Sequence, residues 1–402
     1  MARTKKDIPG TNSILHYLSI GYLACLYPMS NINKILQSLD KSSQRIRLLP
    51  AELVVYLVIC MCIWREPRQD KILRIITESV NFISNGKAVT VYPSYAAISQ
   101  ARAKLGSEPL SELADLCLRP LAPIGLPGAW YKDRRLVAFD GTTFGVPDDE
   151  ENAEFFGYPG VSRGDAAFPQ VRVEALVEIG THAIIAAEMG PYKTSEIALC
   201  NQIIDRGKLQ ENMLLLADRN YYGYKLWSKA LDTNADLLWR VKKNLILLVE
   251  DYLPDGSYLS TVYDSNNKTA PGLQVRVIEY KLKNNQKERY RLITNLIDHV
   301  ETPALELANL YHERWDIELC FSEVKTELCA HSSKYATPIR SRRPVLVLQE
   351  VWGLILAHYA IKSLVVKAAI LKEYDPDDIS FSNAVEIVRR KMPHSAASLP
   401  SS

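Results

Sequence analysis

The chain has 402 residues, of which 47% are apolar and 23% are charged. This composition is ordinary for a globular protein and excludes a disordered or fibrous chain, and the length suffices for two or three domains of about 100–200 residues each. The net charge of +2 indicates no class of partner, but residues 1–50 hold seven Lys or Arg and only two Asp. Such a basic arm is typical of nucleic-acid-binding proteins and equally of solvated tails.

The cysteines and the first residues of the chain indicate a reducing cytosol. Seven cysteines occur without any C-x-x-C pair, which argues against a disulfide framework and against a zinc site. The first ten residues lead into no hydrophobic signal region, and the most apolar run, Leu53 to Trp64, is too short to span a bilayer. We therefore expect a cytoplasmic protein that makes no contact with a membrane.

Residues 1–125 are predicted to form a helical, DNA-binding N-terminal domain. Apolar residues recur at helical spacing in three segments: Ile14–Leu39, Glu52–Trp64 and Lys71–Ile83. Residues 94–106 add a short basic helix, with Ser94 as its N-cap and Gly106 as its terminator. The polar residues expected on the surface of that helix are Gln100, Arg102 and Lys104. The pattern fits a DNA-recognition helix and an ordinary surface helix equally well.

After a proline-rich linker, the pattern changes to that of an α/β protein. Two apolar strands, 135–140 and 213–218, each end in an aspartate. Other strands are predicted at 171–179, 183–189 and 236–241, and helices at 196–205 and 222–231. This order predicts an α/β core over residues 130–241 and 299–371, with helices on the faces of the sheet. Turn signals and short β-rich segments predict a β-rich insertion over residues 242–298.

The last part of the chain reads as a long helix followed by a tail. Residues 345–371 are almost continuously apolar, so the helix either packs on the core or mediates dimerisation, and we favour packing on the core. Residues 372–402 are predicted to form a C-terminal tail, and the stretch beyond His394 is expected to be disordered.

The stretch from residue 311 to 325 is the most informative part of the chain. At 100° per residue, four polar side chains fall within roughly a 60° arc of a helix: Tyr311, Arg314, Glu318 and Lys325. Apolar residues fall on the adjacent arc and predict a core-facing stripe: Leu310, Ile317, Phe321, Val324 and Leu328. A face that carries a phenol, a guanidinium, a carboxylate and an ammonium suits a site that holds a metal and phosphates together.

Three carboxylates are candidates for that site: Asp140 and Asp218 at strand ends, and Glu318 on the helix. In open α/β sheets, side chains at strand ends face a crevice, although an Asp there is often only a turn residue. Three acids brought together would repel one another unless cations were present. Mg²⁺ prefers oxygen ligands, and two ions about 3.5–4 Å apart stabilise both the attacking and the leaving oxygen of a phosphoryl displacement.

The pattern Y-x₂-R-x₃-E-x₆-K resembles the signature of DDE transposases encoded by bacterial insertion sequences. Asp140-Gly-Thr resembles the first acidic motif of that family, and Asp218-Arg-Asn-Tyr resembles the second. Asn220 stands where the family more often has Gly, and Asn tolerates the left-handed conformation that Gly would supply. Residues 340–344 and 349–353 resemble the segment after the last acid, and the helical N-terminal region resembles that of the family. The resemblance thus covers nearly the whole chain.

The resemblance implies a ribonuclease H-like catalytic domain in which Asp140, Asp218 and Glu318 hold two Mg²⁺ ions, for which Mn²⁺ is expected to substitute. In the family, water first nicks DNA at the transposon end. In some members the freed 3′-hydroxyl attacks the opposite strand and forms a hairpin, which a second water opens. The 3′-hydroxyl then attacks target DNA. The implied partners are double-stranded DNA, as terminal inverted repeats and as target, and further copies of the chain that form a dimer or higher oligomer on paired ends.

The same resemblance assigns residues to DNA. The residues expected to contact phosphates near the transferred strand end are Tyr311, Arg314 and Lys325. Tyr290, where some relatives carry Trp, is expected to support a base that leaves the stack, although an aromatic residue in a strand more often packs. Arg240, Lys242 and Lys243 either add phosphate contacts or simply end a surface strand.

Three functions fit these residues. The first is a metal-dependent DNA transposase, cytoplasmic and associated with the bacterial nucleoid. The second is an inactive relative that binds DNA without cutting it, although the intact acids argue against this. The third is a nuclease or resolvase with the same ribonuclease H fold that performs no strand transfer.

Overall fold

The computed structural model describes residues 20–43, 49–65, 68–74, 76, 93–161, 164–165, 168–267, 269–282, 285–313, 318–329 and 338–391. The N-terminal region is helical, as predicted, in its described part. Its helices are α1 (Ile20–Leu26), α2 (Met29–Ser38), α3 (Ala51–Ile63), α4 (Tyr95–Leu105) and α5 (Glu108–Cys117). Pro50 precedes α3 as its N-cap, a position where the missing N–H costs nothing. Five of the seven Lys or Arg in residues 1–50 and the end of the predicted helix at 71–83 lie outside the described residues.

Helix α4 has the predicted caps, but one of its predicted surface residues is buried. The Ser94 hydroxyl oxygen accepts the N–H of Ala97 at 3.2 Å, and Gly106 ends the helix with φ +75°. Arg102 is only 4% exposed, so the expectation that it lies on the surface is wrong. Its Nε donates to Oε1 of Gln349 at 2.9 Å, a partner supplied from 247 residues away. Gln100 and Lys104 are exposed, as predicted.

Ten of the described strands form one large sheet, and the other two form a separate pair. The strands are β1 (Trp130–Tyr131), β2 (Arg134–Gly145), β3 (Gly160–Val161), β4 (Gly164–Asp165), β5 (Gln170–Glu178), β6 (Ala183–Pro191), β7 (Met213–Ala217), β8 (Asp236–Arg240), β9 (Asp251–Tyr252), β10 (Tyr258–Val262), β11 (Leu273–Leu282) and β12 (Asn285–Thr294). The order in the main sheet is β6-β5-β2-β7-β8-β12-β11-β10-β9, with β1 beside β2, while β3 and β4 form a separate pair. β2, β5 and β6 are antiparallel, and β7 and β8 follow parallel to β2. This five-strand order confirms the predicted ribonuclease H-like core.

The predicted β-rich insertion is present, but it extends this sheet. Strands β9 to β12 fall within residues 251–294, and β12 pairs with β8 through Leu292 and Arg240. The last core strand therefore has a hydrogen-bonded neighbour from the insertion, which removes an exposed sheet edge.

Helices cover both faces of the sheet. They are α6 (Glu150–Phe156), α7 (Glu196–Asp205), α8 (Tyr224–Leu231), α9 (Ala304–Glu313), α10 (Glu318–Glu323), α11 (Pro344–Leu371) and α12 (Phe381–Lys391), and a π-helical turn, Val324–Leu328, continues α10. On one face, the Trp227 ring of α8 packs edge-on against Trp239 of β8 at 5.0 Å. On the other face, Lys325 of the π-helical turn lies over the Phe144 ring of β2.

Helix α11 packs in the core of the protein, as predicted. By length and composition it could cross a membrane, but 78% of its most apolar window is buried inside the fold. It contacts α3 and α5 of the N-terminal region as well as β6 and α12. Its continuous apolar composition follows from this burial on several sides.

The crossing of α11 and α3 depends on Gly353. A Cβ atom at this position would lie 2.9 Å from Cγ1 of Val58 and 3.0 Å from Sγ of Cys62. We expect Gly353→Leu to lower the free energy of unfolding by about 1–3 kcal/mol, because an overpacked core forces side chains and backbone to shift. Denaturant titration of full-length protein measures this. The control is Gly223→Leu, where a Cβ meets nothing within 4 Å, and equal losses in both variants would refute the close crossing.

The predicted C-terminal tail is wrong for part of its length. Helix α12 spans Phe381 to Lys391 and buries one face of side chains: Phe381, Ala384, Val385 and Val388. Arg389 also donates to the backbone oxygens of Ile63 and Glu327. The amphipathic spacing of the buried residues explains why this segment docks on the fold. Residues 392–402 lie outside the described part of the chain.

Candidate active site

Asp140 lies in β2, and Asp218 directly follows β7, the parallel neighbour of β2. β2 pairs with β7 through Leu136–Leu214 and Ala138–Leu216. Continued by two residues, this register sets Asp140 level with Asp218 on the same face, about 4.8 Å away across the strand spacing. The sequence analysis predicted that Asp140 ends its strand. This is wrong, because β2 pairs with β5 as far as Gly145.

Asp140 and Asp218 form a row of residues that are level on neighbouring segments, and Arg240 continues this row on the next strand. β7 pairs with β8 through Ala217–Trp239, so the next step sets Asp218 level with Arg240. Arg240 is therefore level with the two acids at the carboxyl ends of the parallel strands, and its guanidinium lies over the Tyr290 ring of the next strand. Lys242 and Lys243 follow in an exposed turn.

Helix α10 lies near Asp140. The side chain of Glu318 and all of Arg314 lie outside the described residues. Two nearby residues locate the helix. Burial raises the pKa of the Cys320 thiol, and the carboxylates of Glu323 and Asp140 raise it further. The second nearby residue is Lys325, whose ammonium is also within electrostatic range of the Asp140 carboxylate.

Lys325 lies over an aromatic ring and within electrostatic range of Asp140. Its Nζ is 5.5 Å from the centroid of Phe144. Burial lowers the pKa of Lys325, and the Asp140 carboxylate opposes this by favouring the charged form. Because Lys325 is in the π-helical turn, the regular 100° spacing used to predict its direction ends at Glu323. The predicted apolar stripe is confirmed for the described members: Leu310, Phe321, Val324 and Leu328 are buried.

Tyr311 is directed into the protein and not towards solvent. Its side chain is 1% exposed, and its hydroxyl donates to the backbone oxygen of Ala217 at 3.3 Å. The helical spacing placed Tyr311 on the polar face, apart from the apolar stripe, and the structure buries it with the core residues. The contact nevertheless lies one residue before Asp218, so Tyr311 supports the backbone that carries this acid.

The Tyr290 ring is covered on this structure. It is 7% exposed and stacks on the Tyr280 ring with centroids 5.5 Å apart. The Arg240 guanidinium lies 4.2 Å from its centroid, and His312 packs edge-on at 5.8 Å. A DNA base would stack on Tyr290 only after one of these groups moved, so the arrangement does not supply the open platform expected from the sequence.

One cluster that the sequence analysis missed fastens α10 to α11. Glu323, five residues after Glu318, accepts from Nζ of Lys362 at 2.9 Å and contacts Nε2 of His358 at 3.1 Å. Burial alone would raise the pKa of Glu323, but Lys362 and His358 lower it to about 2. The available signal was two ionisable residues four positions apart inside an otherwise apolar helix.

A second missed cluster lies beneath the acids. Glu174 of β5 is fully buried, and its Oε1 accepts from the Tyr221 hydroxyl at 2.7 Å. Burial raises the pKa of this carboxyl well above its usual range. The signal in the sequence was a glutamate inside the apolar strand 171–179.

The donor set fits a hard divalent cation. The strand register sets Asp140 and Asp218 level on one face, and carboxylate oxygens are the ligands that Mg²⁺ and Mn²⁺ prefer. No group of three potential metal ligands occurs among the residues that the structure describes, and the side chain of Glu318 is not one of these. His or Cys ligands of the kind that zinc favours do not join the row in this described part.

Comparison with known proteins identifies the family of the chain. Residues 131–353 match the family model "Transposase DDE domain", and residues 17–115 match "Insertion element 4 transposase N-terminal". The chain is 30% identical to "Transposase InsG for insertion sequence element IS4" of Escherichia coli (strain K12), over 90% of this chain and 80% of that protein. It is 28% identical to "Putative transposase InsZ" of the same organism, over 45% of this chain and 58% of that protein.

A solved structure shares the fold. A piggyBac transposase, determined by cryo-EM in a synaptic complex with hairpin DNA, superposes with a TM-score of 0.50. The two chains are 11% identical, and the match covers 98% of this chain and 81% of the other. At this identity the likeness concerns the fold alone.

Proposed function

The chain belongs to the DDE transposase family, whose members cleave DNA and transfer strands, and we propose that Asp140, Asp218 and Glu318 are the acids with which it does so. The observation that carries this proposal is the strand register that sets Asp140 level with Asp218. The proximity of Cys320 and Lys325 to Asp140 supports placing Glu318, on the same helix, at this site.

The family uses divalent metal ions in general, and our finer proposal is two Mg²⁺ ions, for which Mn²⁺ substitutes. When bound, they would supply Lewis-acid stabilisation of the attacking and leaving oxygens. The chain itself contributes the carboxylates that hold the ions. We propose that Arg240 and Lys325 orient the scissile phosphate through charge-assisted bonds. These residues would act by positioning DNA and by stabilising negative charge.

The proposed partners are terminal inverted repeats, target DNA and other copies of the chain. Lys325, Arg240, Lys242 and Arg314 are proposed to contact phosphates, since Lys and Arg side chains suit that task. For Tyr311, the buried hydroxyl supports a role in positioning Asp218. We further propose that the protein works as a dimer or higher oligomer on paired ends, in the cytoplasm and close to the nucleoid.

The function is tested with full-length protein and a labelled duplex that carries the ends of the parent element. We expect Mg²⁺-dependent nicking at the end and, with added plasmid, joined products in which the freed 3′ end is attached to the target. Nicking without joining of a pre-cleaved 3′ end would favour the nuclease alternative. Equal binding with and without Mg²⁺, and intact DNA throughout, would favour the inactive relative.

Lys325 gives a separate test of the proposed DNA contact. We expect Lys325→Ala to weaken end binding and to reduce the slope of log K against log salt by about 0.9, because one phosphate contact would be lost. The slope is measured by fluorescence anisotropy at several salt concentrations. Lys372→Ala, which removes an exposed cation at the end of α11, is the matched control. An unchanged slope for Lys325→Ala would show that Lys325 does not contact DNA.

A further inference from the structure

The Glu174 side chain contacts both segments that carry the acids, from the opposite face of the sheet. Glu174 pairs with Gly141 across β2 and β5, while Asp140 pairs with Ala175. Residues opposite one another in an antiparallel pair point to the same face, so Glu174 lies under Gly141 and on the opposite face from Asp140. A Cβ atom on Gly141 would be 2.4 Å from Oε2 of Glu174 and 3.3 Å from the Tyr221 hydroxyl. Glycine at this position is what allows the carboxyl to approach the strand.

The second contact of Glu174 is with Tyr221, in the turn that begins at Asp218. The N–H of Tyr221 donates to the backbone oxygen of Asp218 at 3.0 Å and closes the turn after β7. From that turn, the Tyr221 hydroxyl reaches Oε1 of Glu174 at 2.7 Å, and its ring lies 5.9 Å from that of Phe139. One carboxyl is therefore in contact with the residue after Asp140 and with the last residue of the turn that starts at Asp218.

We propose that Glu174, in its neutral form, is a positioning residue that sets the spacing between Asp140 and Asp218 and thereby the affinity of the site for divalent cations. Its Oε2 has no N–H or O–H donor within hydrogen-bond distance in the described part of the chain and only the Cys200 thiol, a weak donor, beside it, which would be costly for a buried carboxylate but much less so for a neutral carboxyl. The inference rests on the proposed catalytic role of the two aspartates.

The neighbours of Glu174 support the neutral form. Burial raises its pKa most, the Tyr221 hydroxyl lowers it, the carboxylates of Glu196 and Asp140 raise it, and Arg172 lowers it. The Cys200 thiol from α7 lies beside it, and burial raises the pKa of that thiol too. Glu188 of β6 pairs with Glu174 and is itself bonded to Arg206. The only cation acting on Glu174 among these groups, Arg172, is already paired with Glu196 at 2.6 Å.

The test is a Mg²⁺ titration of nicking by full-length variants. We expect Tyr221→Phe, Glu174→Ala and Gly141→Ala each to raise the half-saturating Mg²⁺ concentration about 10-fold or more, the usual effect of losing a group that orients metal ligands. End binding without metal should be unchanged. Tyr222→Phe removes the same atom from the next residue and should leave the half-saturating concentration unaltered. Unchanged Mg²⁺ dependence in Tyr221→Phe and Glu174→Ala would overturn the proposal.

Glu174→Gln tests the neutral form. It preserves an uncharged acceptor for Tyr221, so its Mg²⁺ dependence should stay close to that of the wild type. A folded-state pKa that is raised means that the stabilising contribution is complete below the unfolded-state pKa and is lost as pH rises through the folded value. The thermal midpoint of Glu174→Gln should therefore increase relative to the thermal midpoint of the wild type as pH rises. A Gln variant as impaired as Glu174→Ala would exclude the neutral role.

Failure of the proposed function remains distinguishable from failure of this inference. If the wild type does not nick DNA in any metal, Mn²⁺ binding to the full-length protein is measured directly by titration calorimetry. Weaker Mn²⁺ binding by Tyr221→Phe than by Tyr222→Phe would still support the spacing role. Equal Mn²⁺ binding by both variants would overturn it.

Discussion

Asp140→Asn and Asp218→Asn should each reduce nicking at the element end by at least about 10³-fold while leaving end binding intact. Each substitution keeps the shape of the side chain but removes a charged oxygen ligand, and a loss of about 4 kcal/mol of transition-state stabilisation corresponds to that factor. Glu318→Gln should behave in the same way if its side chain completes the site. Rates are measured under single-turnover conditions with saturating protein, so that binding and chemistry are separated.

A second measurement separates loss of metal from loss of fold. Mg²⁺ should raise the thermal midpoint of the wild type, because a ligand that binds only the folded state stabilises it. It should not do so in Asp140→Asn, where two adjacent carboxylates no longer share the site. Asp251→Asn, in the exposed strand β9 at the far edge of the sheet, is the control. Full Mg²⁺ stabilisation of Asp140→Asn would remove Asp140 from the proposed metal site.

Glu350→Gln should lower the free energy of unfolding by about 3–5 kcal/mol. Glu350 is 1% exposed, and its Oε1 accepts from Arg65 at 2.8 Å and from Arg340 at 3.4 Å. The Ser341 hydroxyl donates to its Oε2 at 2.6 Å. Removing the charge leaves buried guanidinium groups without compensation, which is far more costly than losing a surface pair. The cluster joins the N-terminal helices to α11, so the effect should appear as loss of their mutual packing.

The pH dependence of this effect has a definite sign. Burial alone would raise the pKa of Glu350, but Arg65, Arg340 and Arg102 lower it from about 4.5 to about 2. A lowered folded-state pKa contributes stability above the unfolded-state value and loses it as pH falls through the folded value. The difference in thermal midpoint between wild type and Glu350→Gln should therefore shrink between pH 4.5 and 2. Glu151→Gln, which breaks the exposed pair with Arg343, should change stability by less than about 1 kcal/mol.

Local patterns predicted the elements well. Helix 196–205 has the predicted bounds, because Ser195 caps it and its apolar residues recur at helical spacing. Strand β7 stops at Ala217, immediately before Asp218, as its apolar run indicated. The amino-acid pattern was less successful at Asp140, because the length of β2 depends on pairing with β5 and not on the composition of β2 alone.

Long-range contacts decided what the pattern could not. Arg102 and Tyr311 have polar groups that suggest exposure, yet both are buried against partners supplied by distant segments, Gln349 and Ala217. A polar group is tolerated inside a protein when it finds a hydrogen-bond partner, and periodicity contains no information about such partners. For the same reason, Glu174 looked like an irregularity in an apolar strand until its neighbours were known.

The amino-acid sequence by itself indicated the family, three candidate acids and the alternation of helices and strands, because these depend on residue types and on spacing along the chain. The tertiary structure alone decided that Asp140, Asp218 and Arg240 form one row, and that Glu174 lies behind it. Strand order and register are set by contacts between residues far apart in the chain. They are selected by the burial of the whole core, and no single segment encodes them.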